Sequence, residues 1–272
     1  MSTIAVGDIH GRADLLGPLL KRLRKEIKAE DHLVFLGDYV DRGPDVKSCF
    51  DLLTEWCGDP PCRTVFLMGN HEECMLRARN DHTCHSWLTA MEGLSTIASY
   101  DARLAGWFRE QLHAVGPRLY REAFTLPYDR FFALLPSGHL EILDSLRIAF
   151  ETNDAVCVHA AYDPNRPIDT QDRALVLWGA RFPRGYRGGR KVIYGHHANA
   201  IRKGNQWMPR ICGRTYGIDT VAQNVLTAFR LPDGAVFQVP KAGYSLNTIA
   251  KGFVARMARF LPITKRLYLP KR

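Results

Sequence analysis

The sequence predicts an α/β protein in which a parallel sheet comes first and a more antiparallel layer follows. Three observations carry that reading. Thr3 to Val6, Leu33 to Leu36 and Thr64 to Met68 are short β-branched or apolar runs, each ending at a glycine. Two stretches of helical period separate them, giving strand, helix, strand, helix, strand. Strand signals then return after a long helical segment, more closely spaced and joined by turns such as Pro232-Asp-Gly234.

The first helix is expected over Asp14 to Lys28, where Leu15, Leu16, Leu19, Leu20, Leu23 and Ile27 share a face, and the second over Asp45 to Trp56 with Val46, Cys49, Phe50, Leu52 and Leu53. Right-handed crossovers through such helices make the strands parallel and put functional groups just past their carboxyl ends. From about His85 to Leu146 the pattern is helical and rich in aromatics, with breaks at Gly116-Pro117 and Pro136-Ser-Gly138, and reads as an insertion or cap packed over the sheet ends. Strands resume at Arg147 to Glu151, Ala155 to Val158, Lys191 to Tyr194, Tyr216 to Ile218, Asn224 to Arg230 and Ala235 to Val239. The expected organisation is one domain over residues 1–240, with a helical insertion at 85–146, followed by a basic tail over 241–272.

With 272 residues, 46% hydrophobic and 24% charged, the chain can bury a sizeable core, which excludes a disordered or fibrous protein. No apolar run approaches the roughly 20 residues that cross a bilayer, and the first residues lack the basic start and apolar core of a signal peptide. A soluble cytoplasmic protein is expected. Seven cysteines without a Cys-x-x-Cys pair fit reduced thiols better than a disulfide framework or a thiolate zinc site. The net charge of +9 is unevenly placed: Arg173 to Ile218 holds ten basic residues and Lys241 to Arg272 eight, with no acidic residue in either. Such a distribution is either a solvated basic face or a cluster that collects anions beside an acidic, cation-collecting remainder.

The first three strands end in Gly7-Asp8-Ile9-His10-Gly11, Gly37-Asp38-Tyr39-Val40-Asp41-Arg42-Gly43 and Gly69-Asn70-His71-Glu72, and two later strands end in His159 and His196. One Gly-Asp or one histidine at a strand end is ordinarily a turn or a hydrogen-bonded residue. Their joint occurrence at five strand ends delivers Asp8, His10, Asp38, Asn70, His159 and His196 to one edge of the sheets. Mixed oxygen and imidazole donors suit a pair of borderline divalent ions such as Mn, Fe or Zn, rather than calcium, which prefers oxygen alone.

These signatures resemble the three motifs of the phosphoprotein phosphatase family of calcineurin-like metallophosphoesterases, over about Thr3 to Phe237. Trp87-Leu88 with Ile97-Ala-Ser-Tyr100, Leu177-Trp178 with Arg181, and Ile218-Asp-Thr220 followed by Leu226-Thr227 resemble its bacterial serine/threonine phosphatase branch. The resemblance implies two β-sheets packed face to face with flanking helices. It implies Asp8, His10 and Asp38 on one metal and Asp38, Asn70, His159 and His196 on the other, bridged by Asp38. It further implies that His71 protonates the leaving group, that Asp41 orients His71, and that Arg42, Asn70 and Arg181 bind the phosphoryl group. His197 stands where the family has a small polar residue, so His196 is taken as the ligand and His197 as its neighbour or a substrate-facing residue. Ala161 and Val221 stand where the family usually has glycine.

The implied reaction is hydrolysis of phosphoserine or phosphothreonine in proteins, with phosphotyrosine also within reach. Two ions about 3.5–4 Å apart acidify a water, aim it in line at phosphorus and offset the charge on the equatorial oxygens. An alkoxide leaves poorly without a proton, which asks for an acid such as His71 beside a carboxylate such as Asp41. Guanidinium forks match phosphate oxygens bidentately. The main rival is the symmetrical diadenosine tetraphosphate hydrolase, which typically replaces the second Asp of the second motif by a small residue and ends the third in Asp; here Asp41 and Glu72 stand there. A metal-stiffened, non-catalytic binding protein would show lost ligands, and none is lost. A nuclease has no support beyond the basic surface, so the expected partner is a phosphorylated protein or peptide and no specific nucleic acid. In the tail, Ile249, Phe253, Val254, Met257, Phe260 and Leu261 fall on one helical face; docking on the catalytic domain, a weak membrane-surface or partner contact, and a disordered end all fit that pattern.

Overall fold

The structure, a computed structural model describing residues 1–179 and 186–242, begins with the expected alternation: β1 Thr3–Val6, α1 Ala13–Leu23, β2 His32–Phe35, α2 Val46–Gly58 and β3 Arg63–Phe66. The third strand runs into α3 Asn70–Asn80, followed by α4 Ser86–Ala90, α5 Leu94–Tyr100, α6 Ala102–Val115, α7 Asp129–Phe132 and α8 Ser137–Asp144. Then come β4 Ala149–Glu151, β5 Val156–Val158, α9 Arg173–Trp178, β6 Val192–Tyr194, β7 Ile201–Lys203, β8 Gln206–Met208, β9 Arg210–Cys212, β10 Thr215–Gly217, β11 Val225–Leu231 and β12 Val236–Pro240. The tail helix expected beyond Lys241 lies outside the described residues.

Two five-stranded mixed sheets result, ordered β12-β11-β1-β2-β3 and β4-β5-β6-β10-β9, with β7 and β8 as a separate hairpin. Strands β1, β2 and β3 pair in parallel as expected. The last two strands do not join the second layer. Instead β11 pairs antiparallel with β1, setting Val6 opposite Ala228, and β12 pairs with β11. Period alone cannot say which sheet takes a strand; β11 is buried along almost its whole length, as an interior strand between β12 and β1. The second sheet is also less antiparallel than expected, since β5, β6 and β10 run parallel. The stretch between β5 and β6 is long enough for a crossover and carries α9. Strands β7 to β9 were not anticipated: they are three residues each and mostly exposed, so no apolar alternation marks them.

Alternation inside the strands sorts the core into layers. Ala5, Val34, Leu36, Val65 and Leu67 face Phe150, Ala155, Cys157, Ile193 and Ile218 between the sheets. Ile4, Val6, Leu33 and Phe35 face outward into a larger apolar cluster shared by α1, α2 and the helices of the aromatic segment, including Trp87, Phe108 and Phe131. Val156, Val158, Val192 and Tyr194 cover the far side of the second sheet with Val176 of α9. All seven cysteines are free. Among the described residues no helix is long and apolar enough to cross a membrane.

Candidate metal centre

The polar signatures gather past the carboxyl ends of the strands: Asp8 and His10 after β1, Asp38 after β2, Asn70 and His71 at the start of α3, His159 after β5 and His196 after β6. Tight turns are needed to aim them. His10, Asp38, Asp41, Arg42 and His196 all have positive φ, between 45° and 68°, and make up five of the seven such non-glycine residues among those described. Backbone strain concentrated in this way marks a site that the surrounding fold holds in place. Glycine is required where backbones touch the carboxylates: a Cβ at Gly69 would lie 2.1 Å from Asp38 Oδ1, and one at Gly195 2.1 Å from Asp8 Oδ1.

Asp38 sits at the centre. Its Oδ2 lies 3.4 Å from His10 Nε2 and 4.0 Å from His71 Nε2, and its Oδ1 lies 3.5 Å from His159 Nε2. On the second side, Asn70 Oδ1 approaches His159 Nε2 at 3.0 Å and His196 Nδ1 at 3.1 Å, and the two histidine nitrogens are 3.2 Å apart. Backbone carbonyls set two of the tautomers. His10 Nδ1 meets Val40 O and His159 Nδ1 meets Leu36 O, both at 2.9 Å; a carbonyl only accepts, so each Nδ1 carries the proton and each Nε2 turns a lone pair toward Asp38. Lone pairs converging on a buried carboxylate repel unless a cation stands among them. The lone pairs of His10 and His159 around Asp38, with His196, therefore fit divalent ions; a nitrogen of His71 also lies within 4.8 Å of the His10 and Asp38 donor atoms. Asp8 is not among these residues; both its oxygens accept the His196 backbone N–H, at 3.1 and 3.0 Å.

A second layer surrounds His71. Its Nδ1 donates to Asp41 Oδ2 at 2.8 Å, while its Nε2 is buried without a hydrogen-bond partner. The other Asp41 oxygen accepts from Trp87 Nε1 at 3.0 Å and Thr96 Oγ1 at 2.6 Å, and the Asp41 N–H donates back to Thr96 at 2.8 Å. Trp87 belongs to α4 and Thr96 to α5, so the aromatic helical segment braces the Asp41–His71 pair. Glu72 ties the second motif to the third: its carboxylate accepts the backbone N–H groups of Asp38, Tyr39, Val40 and Gly69, at 2.8 to 3.1 Å. The exposed side chain of Arg42 folds back so that Nη1 donates to His10 Nε2 at 3.1 Å.

Burial and neighbouring charge set the protonation of this cluster. Burial alone would raise Asp38, but positive charge at the positions of His159, His71 and His10 holds it well below the usual carboxylate range. Burial, with Asp219 and Asp38 nearby, pushes Asp8 well up. Burial and Asp38 push Glu72 up to about 8, against the four N–H donors that favour its ionised form. Burial and His159 bring His196 down to about 3, which leaves it neutral and able to bind a cation. Burial also raises Asp41, opposed by its bonds from His71, Thr96 and Trp87.

Arg181 lies outside the described residues. His197 donates from Nε2 to Gly179 O at 3.2 Å and packs 4.2 Å from the His196 ring. Sequence reasoning did not find Thr96 or Asp219, nor the part Glu72 plays. Thr96 sits in an ordinary helical stretch with no signal of its own. Asp219, buried and accepting the Val221 N–H at 3.1 Å, stands in the Ile218-Asp-Thr220 stretch already noted, at a strand end like the other residues, but was given no role.

A family model for calcineurin-like phosphoesterases matches residues 1–230. The serine/threonine-protein phosphatase 1 of Salmonella typhimurium is 39% identical over 84 residues, 30% of this chain and 35% of the relative, so the chain spans about a third of that protein. The asymmetrical bis(5'-nucleosyl)-tetraphosphatase PrpE of Bacillus subtilis is 27% identical over 258 residues, covering 87% of this chain and 93% of the relative. Among solved structures, a candidate diadenosine tetraphosphatase shares the fold at TM-score 0.56 and 22% identity, over 89% of this chain and 95% of that one. A mutant cold-active protein tyrosine phosphatase does so at 0.54 and 15%, over 90% and 79%. With the model match running through most of its length, over the two sheets and the strand-end cluster described above, the chain belongs to the calcineurin-like phosphoesterase family of hydrolases.

Proposed function

We propose that the protein is a two-metal phosphomonoesterase that removes phosphate from phosphoserine and phosphothreonine in other proteins. The observation that carries this reading is the buried Asp41–His71 pair, braced by Trp87 and Thr96 and ending in an Nε2 with no protein partner. A proton held there serves a poor leaving group. An alkoxide needs it, whereas the phosphate oxygen released from a polyphosphate chain is acidic enough to leave without one.

Asp8, His10 and Asp38 would hold one divalent ion and Asp38, Asn70, His159 and His196 the other, manganese first and iron or zinc next by donor type. Bound there, the ions would supply an acidified water and offset phosphoryl charge. The chain does the rest. Arg42, exposed and resting on His10, can present its fork to two phosphoryl oxygens, with Arg181 as the second clamp. His71 releases its Nε2 proton to the departing oxygen, while Asp41 keeps the ring oriented through Nδ1.

A second reading has its own support. The relatives aligned over 84–87% of this chain are named asymmetrical dinucleoside tetraphosphatases, a longer match than that to the protein phosphatase. The dinucleotide alternative is thus asymmetrical cleavage, not the symmetrical cleavage weighed from the motifs. The deciding experiment compares kcat/KM for a phosphothreonine peptide and for diadenosine tetraphosphate with Mn²⁺ supplied, and separates the nucleotides formed. A peptide preference of at least about tenfold, ~1.4 kcal/mol, is expected; a reversed preference yielding unequal nucleotides would establish the second reading.

A further inference from the structure

The basic stretch read between Arg173 and Ile218 is only partly absorbed by phosphate binding, and four of its other residues lie together at one edge of the second sheet and the adjoining hairpin. Strand β9 is one edge of the second sheet, pairs only with β10 among the described residues, and is exposed at all three residues, with Ile211 51% exposed. Arg202 and Lys203 of β7, Arg210 of β9 and Arg214 in the following turn are all exposed. None forms an ion pair among the described residues, although Arg24, Arg79, Arg118, Arg173 and Arg230 each meet a carboxylate. The segments outside the described residues contain no Asp or Glu. This positive charge is therefore not matched within the chain.

The register ties this edge to the catalytic centre. Arg210 stands opposite Gly217 on β10, and Gly217 stands opposite Tyr194 on β6, two residues before His196. With strands about 4.8 Å apart, Arg210 lies roughly 10 Å to the side of the ligand-bearing strand and at the same end of the sheet. At about 3.3 Å per residue, that distance is about three residues of extended peptide. The hairpin carrying Arg202 and Lys203 leaves the same end, starting five residues after His196.

We infer that the open edge of β9, with Arg202, Lys203 and Arg210, binds an acidic, extended segment of the phosphoprotein substrate, beginning about three residues from the phosphorylated side chain. This rests on the phosphoprotein reading above. An added strand satisfies the unpaired backbone of β9, and carboxylates across from the arginines supply the specificity. Uniform charge on an exposed edge also steers acidic partners and weakens as salt rises.

The test separates the surface from the reading it rests on. First, binding of a fluorescent, unphosphorylated Asp/Glu-rich peptide to the metal-loaded full chain is followed by anisotropy in low salt, for the native protein and for Arg202→Glu/Arg210→Glu, together with amide exchange over residues 210–212. Tighter binding by the native protein, by at least tenfold, with new protection of β9 is expected. Second, phosphothreonine peptides with acidic or neutral flanks are compared. The native enzyme should prefer the acidic flank about tenfold, the double variant should lose that preference, and both should hydrolyse p-nitrophenyl phosphate equally. Equal binding by the variant, no β9 protection or equal use of both flanks overturns the inference. Single-stranded oligonucleotides or anionic vesicles that bind more tightly than the peptide, and are released by the same substitutions, would reassign the surface to those partners. Failure to hydrolyse either phosphopeptide while the acidic peptide still binds β9 would overturn the phosphoprotein reading alone.

Discussion

Replacing Trp87 by Phe removes one hydrogen bond to Asp41 and leaves most of the ring in place. Trp87 is wholly buried among Tyr128, Phe131 and Phe132, and its only polar atom donates to Asp41 Oδ1 at 3.0 Å. Asp41 is already raised by burial, and the bonds from His71, Thr96 and Trp87 oppose that rise. Without the indole N–H the carboxylate is less well stabilised and holds the His71 ring less firmly. A hydrogen bond to a charged group contributes about 1.5–3 kcal/mol, so a full transfer of that loss to the transition state is roughly ten- to a hundredfold in rate. Thr96 still donates to the same oxygen, so the fold is expected to survive. The assay is kcat/KM on a phosphothreonine peptide and on p-nitrophenyl phosphate, with metal content measured on the same preparations. The peptide rate should fall at least about tenfold and the aryl rate by less than about threefold, because a nitrophenolate hardly needs the proton. Equal losses on both substrates, or no loss on the peptide, would refute the role given to Asp41 and His71.

Asp38→Asn should release more than one equivalent of metal, measured by elemental analysis, and nearly all activity; full metal content with full activity would remove Asp38 as the shared donor. His71→Asn should keep the metals and lose on the order of 10²–10⁴ in rate on alkyl phosphates, the range of a positioned general acid, with a smaller loss on aryl phosphates. Glu72→Gln turns an NH₂ group toward two of the four backbone N–H donors, at about 1–3 kcal/mol each, and should lower the melting temperature by several degrees; an unchanged transition would mean that this bridge carries no stability. Burial lowers His139 below its ordinary 6.5 despite Asp51 at 3.0 Å, so the unfolded chain takes up the proton more readily. Its share of stability is complete above pH 6.5 and shrinks as the pH falls below it; His139→Gln should flatten that slope in urea titrations between pH 5 and 7.

Most of the centre was legible because its chemistry is tied to chain position. A polar residue directly after a short apolar run, Asp or Asn behind a glycine or a histidine at the strand end, comes to a sheet edge whatever the rest of the fold does, so Asp38, Asn70, His159 and His196 lie close together. What was not legible depends on contacts between distant segments. Thr96 comes to Asp41 across 55 residues, and nothing in a Leu-Ser-Thr-Ile helix says so. The sheet assignment of β11 depends on which edge was free, and a buried run fits either sheet equally well. The strands β7 to β9 are exposed, and exposure erases the alternation by which strands are read.

The three departures from the family pattern also take their meaning from the packing. Val221 does not need glycine's freedom, since its backbone is not among the positive-φ residues and its N–H reaches Asp219. Ala161 and His197 meet at one point of the backbone. A Cβ on Gly179 would lie 2.5 Å from the Ala161 methyl and 2.4 Å from Leu175 O, so glycine at 179 makes the room that an alanine at 161 takes up. His197 then donates to Gly179 O from the other side. Both departures thus act on the residue that ends α9, just after Trp178, whose indole N–H is held by Glu73 of α3. Neither side chain enters the groups around Asp38. Their effect therefore falls on how the end of α9 is fixed beside the His196 loop, and the side chains gathered around Asp38 are left untouched.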